Sequence, residues 1–224
     1  MEKIVWIQIM QAWTMLLVVI GHSCILGVGN GPDWETAIYC FAQPFRMPLF
    51  ILISGLLFSM TRALPLTNEG GYKWSYIPML KDKAIRLLIP FVFTTFVAFA
   101  LKIAFPGEMS RQASLSFHEI VHAFLYPNDN PMRELWFIAT IFWMFIMMPI
   151  WRFTFKKNYI IVITILVLYL FYKYHPDVEF LCIGSFFKRA IWFYLGMVIF
   201  KCDIINKYCS PYKLITFLGG YFCI

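Results

Sequence analysis

The sequence predicts an all-α polytopic transmembrane helical bundle, with about six complete spans, a truncated seventh and a cytoplasmic N-terminus. Three observations predict it. The 224-residue chain is 61% hydrophobic and 14% charged, with a mean hydropathy of +0.70, outside the range of a water-soluble domain of that length. Its apolar residues fall in runs close to the roughly 20 residues that cross about 30 Å of hydrocarbon. Its basic residues concentrate in alternate connecting segments, as they do in membrane proteins of fixed orientation.

The runs cover 6–26, 37–60, 87–105, 135–151, 158–172 and 186–200, and a seventh begins near Tyr212 and is still running at Ile224. The fifth and sixth are short. Strand-like alternation is absent, and lipid offers no partner to open backbone groups, so helices are the expected form. Only "MEK" precedes the first run and no small-residue cleavage site follows it, which predicts an uncleaved helix rather than a removed signal peptide. "GVGNGP" at 27–32 predicts a tight turn joining the first two helices as antiparallel neighbours. No internal repeat is visible, and residues 1–224 are expected to form one integral membrane domain that is incomplete at its C-terminus.

With the N-terminus inside, twelve basic residues fall in inner segments and six in outer ones, while the acidic residues divide four inside and eight outside. The net charge of +7 is therefore an asymmetry across a membrane, which predicts a multi-pass protein of the cell (inner) membrane and calls for no nucleic acid. The six cysteines show no C-x-x-C spacing and read as small apolar residues in or beside spans. Cys24, Cys40 and Cys182 fall near the outer face, but nothing in the pattern pairs them.

The first helix carries a polar stripe of Gln8, Gln11, Thr14 and His22. Gln11 and His22 are eleven residues apart, so they share a face about 16 Å apart along the axis. An imidazole in a span either fixes packing by a hydrogen bond or serves a site; burial would hold it neutral, the state a general base needs. The second helix favours a site. Arg46, in "FRMPLFILISG" at 45–55, lies at a similar predicted depth, and a guanidinium cannot shed its charge to escape hydrocarbon. His22 and Arg46 are thus expected to face one cavity in the outer half of the membrane.

These segments resemble the membrane acyltransferase-3 family, and its fucose 4-O-acetylase-like branch in particular. The resemblance rests on "LLVVIGHS" at 16–23, "FRMPLFILISGLLF" at 45–58, "RLLIPF" at 86–91, "LWFI" at 135–138 and "FYLGMVIF" at 193–200, in the family's order on successive helices. It implies an O-acyltransferase that moves an acyl group, usually acetyl from acetyl-CoA, to a hydroxyl of a cell-envelope glycan or lipid-linked sugar. It also implies that His22 is the essential histidine. Family members commonly carry Arg or Lys where this chain has Gln11, and often Asp where it has Gln8. Either Arg46 supplies the missing positive charge from helix two, or the activity or donor has changed. The family usually has about ten spans, so the resemblance also implies a chain cut short.

Acyl transfer to a hydroxyl needs a proton acceptor, for which His22 is the candidate, as base or as transient acyl carrier. The oxyanion formed on the thioester needs a positive charge in a dry site, which Arg46 supplies with Gln11 lower on the stripe. No bound cofactor is expected; acyl-CoA is a substrate. Its phosphates would meet Lys81, Lys83 and Arg86 in "KDKAIRLLIP" on the inner side, residues that the positive-inside rule also explains. Gln8, Gln11, Trp136 and Arg189 are the substrate-binding candidates: Trp136 could stack on a sugar at the outer interface, where an aromatic belt is the simpler reading, and Arg189 is a second, weaker candidate for the oxyanion charge, where a snorkelling side chain is the simpler reading. Ser54 and Gly55 lack a G-x-S-x-G context and read as helix-packing residues.

Two other functions compete. "HEIVH" at 118–122 fits the H-E-x-x-H zinc motif, with Glu119 as base, although no third ligand stands out and Glu134 and His175 are unsupported choices; an interfacial amphipathic helix is its other reading. A transporter or non-catalytic membrane subunit, with His22 and Arg46 lining a path, is the other.

Overall fold

The computed structural model describes residues 2–23, 47–60, 76–105 and 116–202, and its regular elements are all helical. The chain forms two compact units, one of Met1–Gly71 with Trp192–Ile224 and one of Tyr72–Ile191. Among the described residues, two helices are long and apolar enough to cross a membrane, Tyr76–Ala104 and Phe180–Lys201, and a bent pair, Trp136–Ile146 with Met148–Thr154, makes a third if it counts as one span, against the six or more that the sequence predicts. A helical membrane protein is the result. The predicted turn at 27–32 and the seventh run lie outside the described residues.

In the first unit, α1 (Glu2–Ser23) is 22 residues long, enough for about 33 Å at 1.5 Å per residue. Thr14 is fully buried, whereas Ile9, Leu16 and Val19 on the opposite side of the helix, and Trp13 beside them, are exposed. That apolar stripe is what a lipid-facing surface requires.

α2 (Met47–Phe58) packs against the second half of α8 (Ile183–Lys201), and glycine makes the contact. A Cβ on Gly55 would strike the backbone carbonyl of Phe193, and one on Gly196 would strike that of Leu52. Each helix thus offers a bare backbone where the other's carbonyl passes, the small-residue crossing by which helices associate without a hydrophobic driving force. Ile53 and Leu56 fill the seam with Leu49, Leu57, Ile199 and Phe200. Ser54 donates its hydroxyl to the Phe50 carbonyl at 2.8 Å, one turn back in its own helix, and of the Ser54–Gly55 pair it is the glycine that meets the other helix.

In the second unit, α3 (Tyr76–Ala104) begins a full turn or more before the predicted apolar run. Lys81, Lys83 and Arg86 therefore stand on the helix rather than in a loop ahead of it. Their segment, "KDKAIRLL", consists largely of strong helix formers, and hydropathy alone misreads such a stretch as connector.

The predicted span 135–151 is broken into α5 (Trp136–Ile146) and α6 (Met148–Thr154), bent by 52° at Met147. Pro149 is the cause, because it offers no N–H and its ring crowds the carbonyl four residues back. Side chains cover carbonyls at the break: Trp151 donates Nε1 to Met144 O at 3.0 Å, and Tyr76 on α3 donates its hydroxyl to Ile146 O at 2.8 Å. α7 (Asn158–Lys173) follows and is exposed along most of its apolar surface.

Between α3 and α5 the chain makes α4 (Phe117–Leu125) and a 3-10 turn at Pro127–Asp129. Phe124 of α4 packs against Phe91 and Phe96 of α3, at ring separations of 5.7 and 5.9 Å. Asn130, 1% exposed, donates Nδ2 to Thr95 Oγ1 at 3.0 Å and accepts from Met132 N at 2.9 Å, which ties the connection to the middle of α3.

Candidate functional site

His22 is the last residue but one of α1, and its side chain, that of Gln8 and the whole of Arg46 lie outside the described residues. Gln11 is described, and it is exposed. Of the expected His22–Arg46 pair, only the backbone of His22 falls on described residues.

The second unit assembles a site that the sequence names only in part. α7 ends at Lys173, and the polar stretch "YHPDVE" at 174–179 turns back into α8 through a 3-10 turn at Phe180–Cys182. Leu181 and Cys182 both hold positive φ, 49° and 58°, a conformation that costs a residue with a Cβ on the order of 1 kcal/mol. Trp143 donates Nε1 to the Leu181 carbonyl at 2.9 Å, and Gly184 N donates to Val178 O at 2.8 Å, so the surroundings fix that backbone. Gly184 is required there: a Cβ would lie 2.6 Å from the Pro176 carbonyl oxygen.

On either side of this turn, residues 175–179 and the first part of α8 wall a cleft of about 250 Å³ whose polar lining is Asn128, His175, Asp177, Glu179, Ser185, Lys188 and Arg189. Arg189 is half-buried and lies with its guanidinium 4.1 Å from the centre of the Trp136 ring. Trp136 does not line the cleft. It stands behind Arg189 and holds the cation in place, with Phe137 packed edge-on against it at 5.9 Å. Two of the substrate-binding candidates, Trp136 and Arg189, thus touch although they are 53 positions apart in sequence; Trp136 supports the cation, and its ring is not a wall of the cleft.

Asp177 is engaged with His175, Oδ1 to Nδ1 at 3.9 Å, and its side chain is 97% exposed. Among the described residues no carboxylate stands within ion-pair distance of Arg189; its one hydrogen bond runs to the Ser185 carbonyl at 3.5 Å. Cys182, a free thiol, lies buried beside the cleft with Sγ 4.0 Å from Asn128 Oδ1. Asn128, Ser185 and Lys188 were not singled out from sequence, and His175 only as an unsupported third ligand for the zinc-like motif. For His175 the signal was the short polar stretch 174–179 between two apolar runs, whereas the other three lie in the 3-10 turn at Pro127–Asp129 and on α8.

The three predicted CoA-binding residues all stand on α3, in different surroundings. Lys83 has its ammonium 4.6 Å from the centre of the Phe145 ring on α5, whereas Lys81 and Arg86 are exposed. His118 and His122 of the zinc-like motif stack on one another at 6.2 Å, and His122 stacks in turn on Tyr126 at 4.5 Å. Among the described residues, no group of three His, Cys, Asp or Glu side chains converges as metal ligands would.

A family model described as an acyltransferase domain matches residues 4–223. No curated protein and no solved structure matches the chain.

Proposed function

This chain belongs to the membrane acyltransferase-3 family, and from that premise we propose that it moves an acetyl group from acetyl-CoA to a hydroxyl of a cell-envelope glycan or lipid-linked sugar. That it is a membrane acyltransferase follows from the family and from its apolar helices. The donor, the acceptor and the residues that act are the proposal.

In this reading His22 takes the proton of the acceptor hydroxyl as its oxygen attacks the thioester carbonyl carbon. Arg46 faces the oxygen on which charge develops. The C–S bond then breaks, the ester forms, and the proton leaves with the thiol of CoA. Lys81 and Arg86 meet the phosphates of CoA at the inner surface, in a protein of the inner cell membrane with its N-terminus in the cytoplasm.

The observation that carries the reading is the extent of the family match, 4–223, which includes "LLVVIGHS" with His22 near the end of α1. The experiment is transfer of labelled acetyl from acetyl-CoA to envelope glycan by membranes containing the protein, wild type against His22→Ala at equal expression. Loss of a positioned base should slow transfer by about 10²–10⁴-fold. Transfer that is unchanged in His22→Ala, or absent from wild-type membranes, removes the reading.

A further inference from the structure

Resting on the reading that a saccharide is the acceptor, we propose that the cleft around Arg189 binds an acidic one, holding a carboxylate or phosphate of the sugar on the guanidinium.

The argument starts from the cost of the cation. A guanidinium keeps its charge wherever it is placed, and a half-buried one is stable only if something answers that charge. Among the described residues, what answers Arg189 is the Trp136 face and a single long hydrogen bond to a carbonyl. An aromatic face fixes the guanidinium plane but leaves its N–H fork unsatisfied, since the ring's attraction acts perpendicular to that plane. An oxyanion is the group that takes such a fork in two parallel hydrogen bonds.

The rest of the lining fits a sugar. Lys188 adds a second cation on α8, while Ser185, Asn128 and His175 carry donors and acceptors of the kind that pair with hydroxyls. Of the carboxylates, Asp177 is fully in water and engaged with His175, and Glu179 is exposed, so solvent and salt screen both more than they screen Arg189. The volume, about 250 Å³, falls just below the roughly 300–1,000 Å³ of pockets for drug-sized ligands, which suits one sugar ring. The strained turn at Leu181–Cys182 and the close approach of Gly184 to Pro176 fix the wall before any ligand arrives.

The test uses the purified full chain in a neutral detergent, with binding read by titration calorimetry. Glucuronate probes a sugar carboxylate, glucose 1-phosphate a sugar phosphate, and methyl glucoside is the uncharged control. Either acid should bind while the control does not, and which acid binds better identifies the anionic group. Arg189→Gln should weaken that binding by about 10–100-fold, the worth of a charge-assisted hydrogen-bonding pair. Arg189→Lys should retain part of it, which separates lost charge from lost fold.

Equal binding of acidic and neutral sugars, or unchanged binding by a folded Arg189→Gln protein, overturns the proposal. So does displacement of both acids by phosphatidylglycerol vesicles but not by phosphatidylcholine vesicles, because the occupant is then a lipid headgroup. Binding is read without turnover: failed binding beside intact acetyl transfer sinks this proposal alone, and intact binding beside absent transfer sinks only the earlier one.

Discussion

The place a Cβ would take on Gly55 is occupied by the backbone carbonyl of Phe193, and Gly196 stands in the same relation to Leu52. The two glycines are reciprocal, one on each helix. Since the obstacle is backbone, it cannot rotate away as a side-chain tip would. Gly55→Ala and Gly196→Ala should each destabilise the α2–α8 pair by about 1–3 kcal/mol, the usual cost of overpacking. Thermal unfolding in detergent measures it, and an unchanged midpoint for both would mean that these helices do not cross where they are placed.

The broken span gives a second expectation. Trp151 and Tyr76 cover the carbonyls of Met144 and Ile146 beside the break at Met147. Trp151→Phe and Tyr76→Phe keep most of the ring bulk and remove the donor, so each should cost about 1 kcal/mol, more where water cannot replace it. The substitutions act on separate carbonyls, and the double variant should lose close to the sum of the two. Pro149→Ala is the complement: it restores a donor, and a straighter helix should make both covering bonds dispensable.

These elements show what sequence reveals and what it hides. Apolar runs announce helices because lipid permits little else, and all six runs that fall on described residues are helical there. Helix ends are harder to read. α3 extends back through Lys81, Lys83 and Arg86 because helix propensity and hydropathy diverge where a helix leaves the membrane. Pro149 was visible, but inside an unbroken apolar run only backbone geometry shows whether it bends the helix. The Trp136–Arg189 contact joins residues on different helices, and no periodicity within either helix encodes that. Each residue could be nominated alone, Trp136 as an interfacial aromatic and Arg189 as a charge in a span, yet the support of one by the other is a product of packing.

Asn130 bears on how the cleft is held. Buried at 1% exposure, it bridges Thr95 in α3 and Met132 N just after the turn that carries Asn128. Asn130→Ala would strand the Met132 N–H, while Thr95 keeps its bond to Phe91 O at 2.8 Å. The expected loss is about 1–3 kcal/mol of stability. Faster amide hydrogen exchange confined to residues around 126–135 is the signature, whereas uniform loss of protection would point to global unfolding.

Arg46→Gln tests the oxyanion role assigned above. Removing a charge that acts on the developing oxyanion should lower kcat by about 10²–10³-fold with little change in KM, because that charge exists only as the reaction proceeds. Inserted protein at normal levels with unaltered kcat removes Arg46 from the site.

The cations of α3 give the last expectation, and here the structure separates residues that the sequence grouped. On a helix advancing about 100° per residue, Lys83 and Arg86 lie about 60° apart, while Lys81 is about 160° from Lys83. The Lys83 ammonium is already engaged with the Phe145 ring of α5 at 4.6 Å. Arg86 and Lys81 are exposed. If phosphates of CoA are met on this helix, Arg86→Gln should raise the KM for acetyl-CoA several-fold with kcat preserved, and the difference from wild type should shrink as salt rises. Lys83→Gln should instead lower thermal stability, with a smaller effect on KM. Should Lys83→Gln carry the larger KM change with stability intact, the ammonium serves the donor and its contact with Phe145 is incidental.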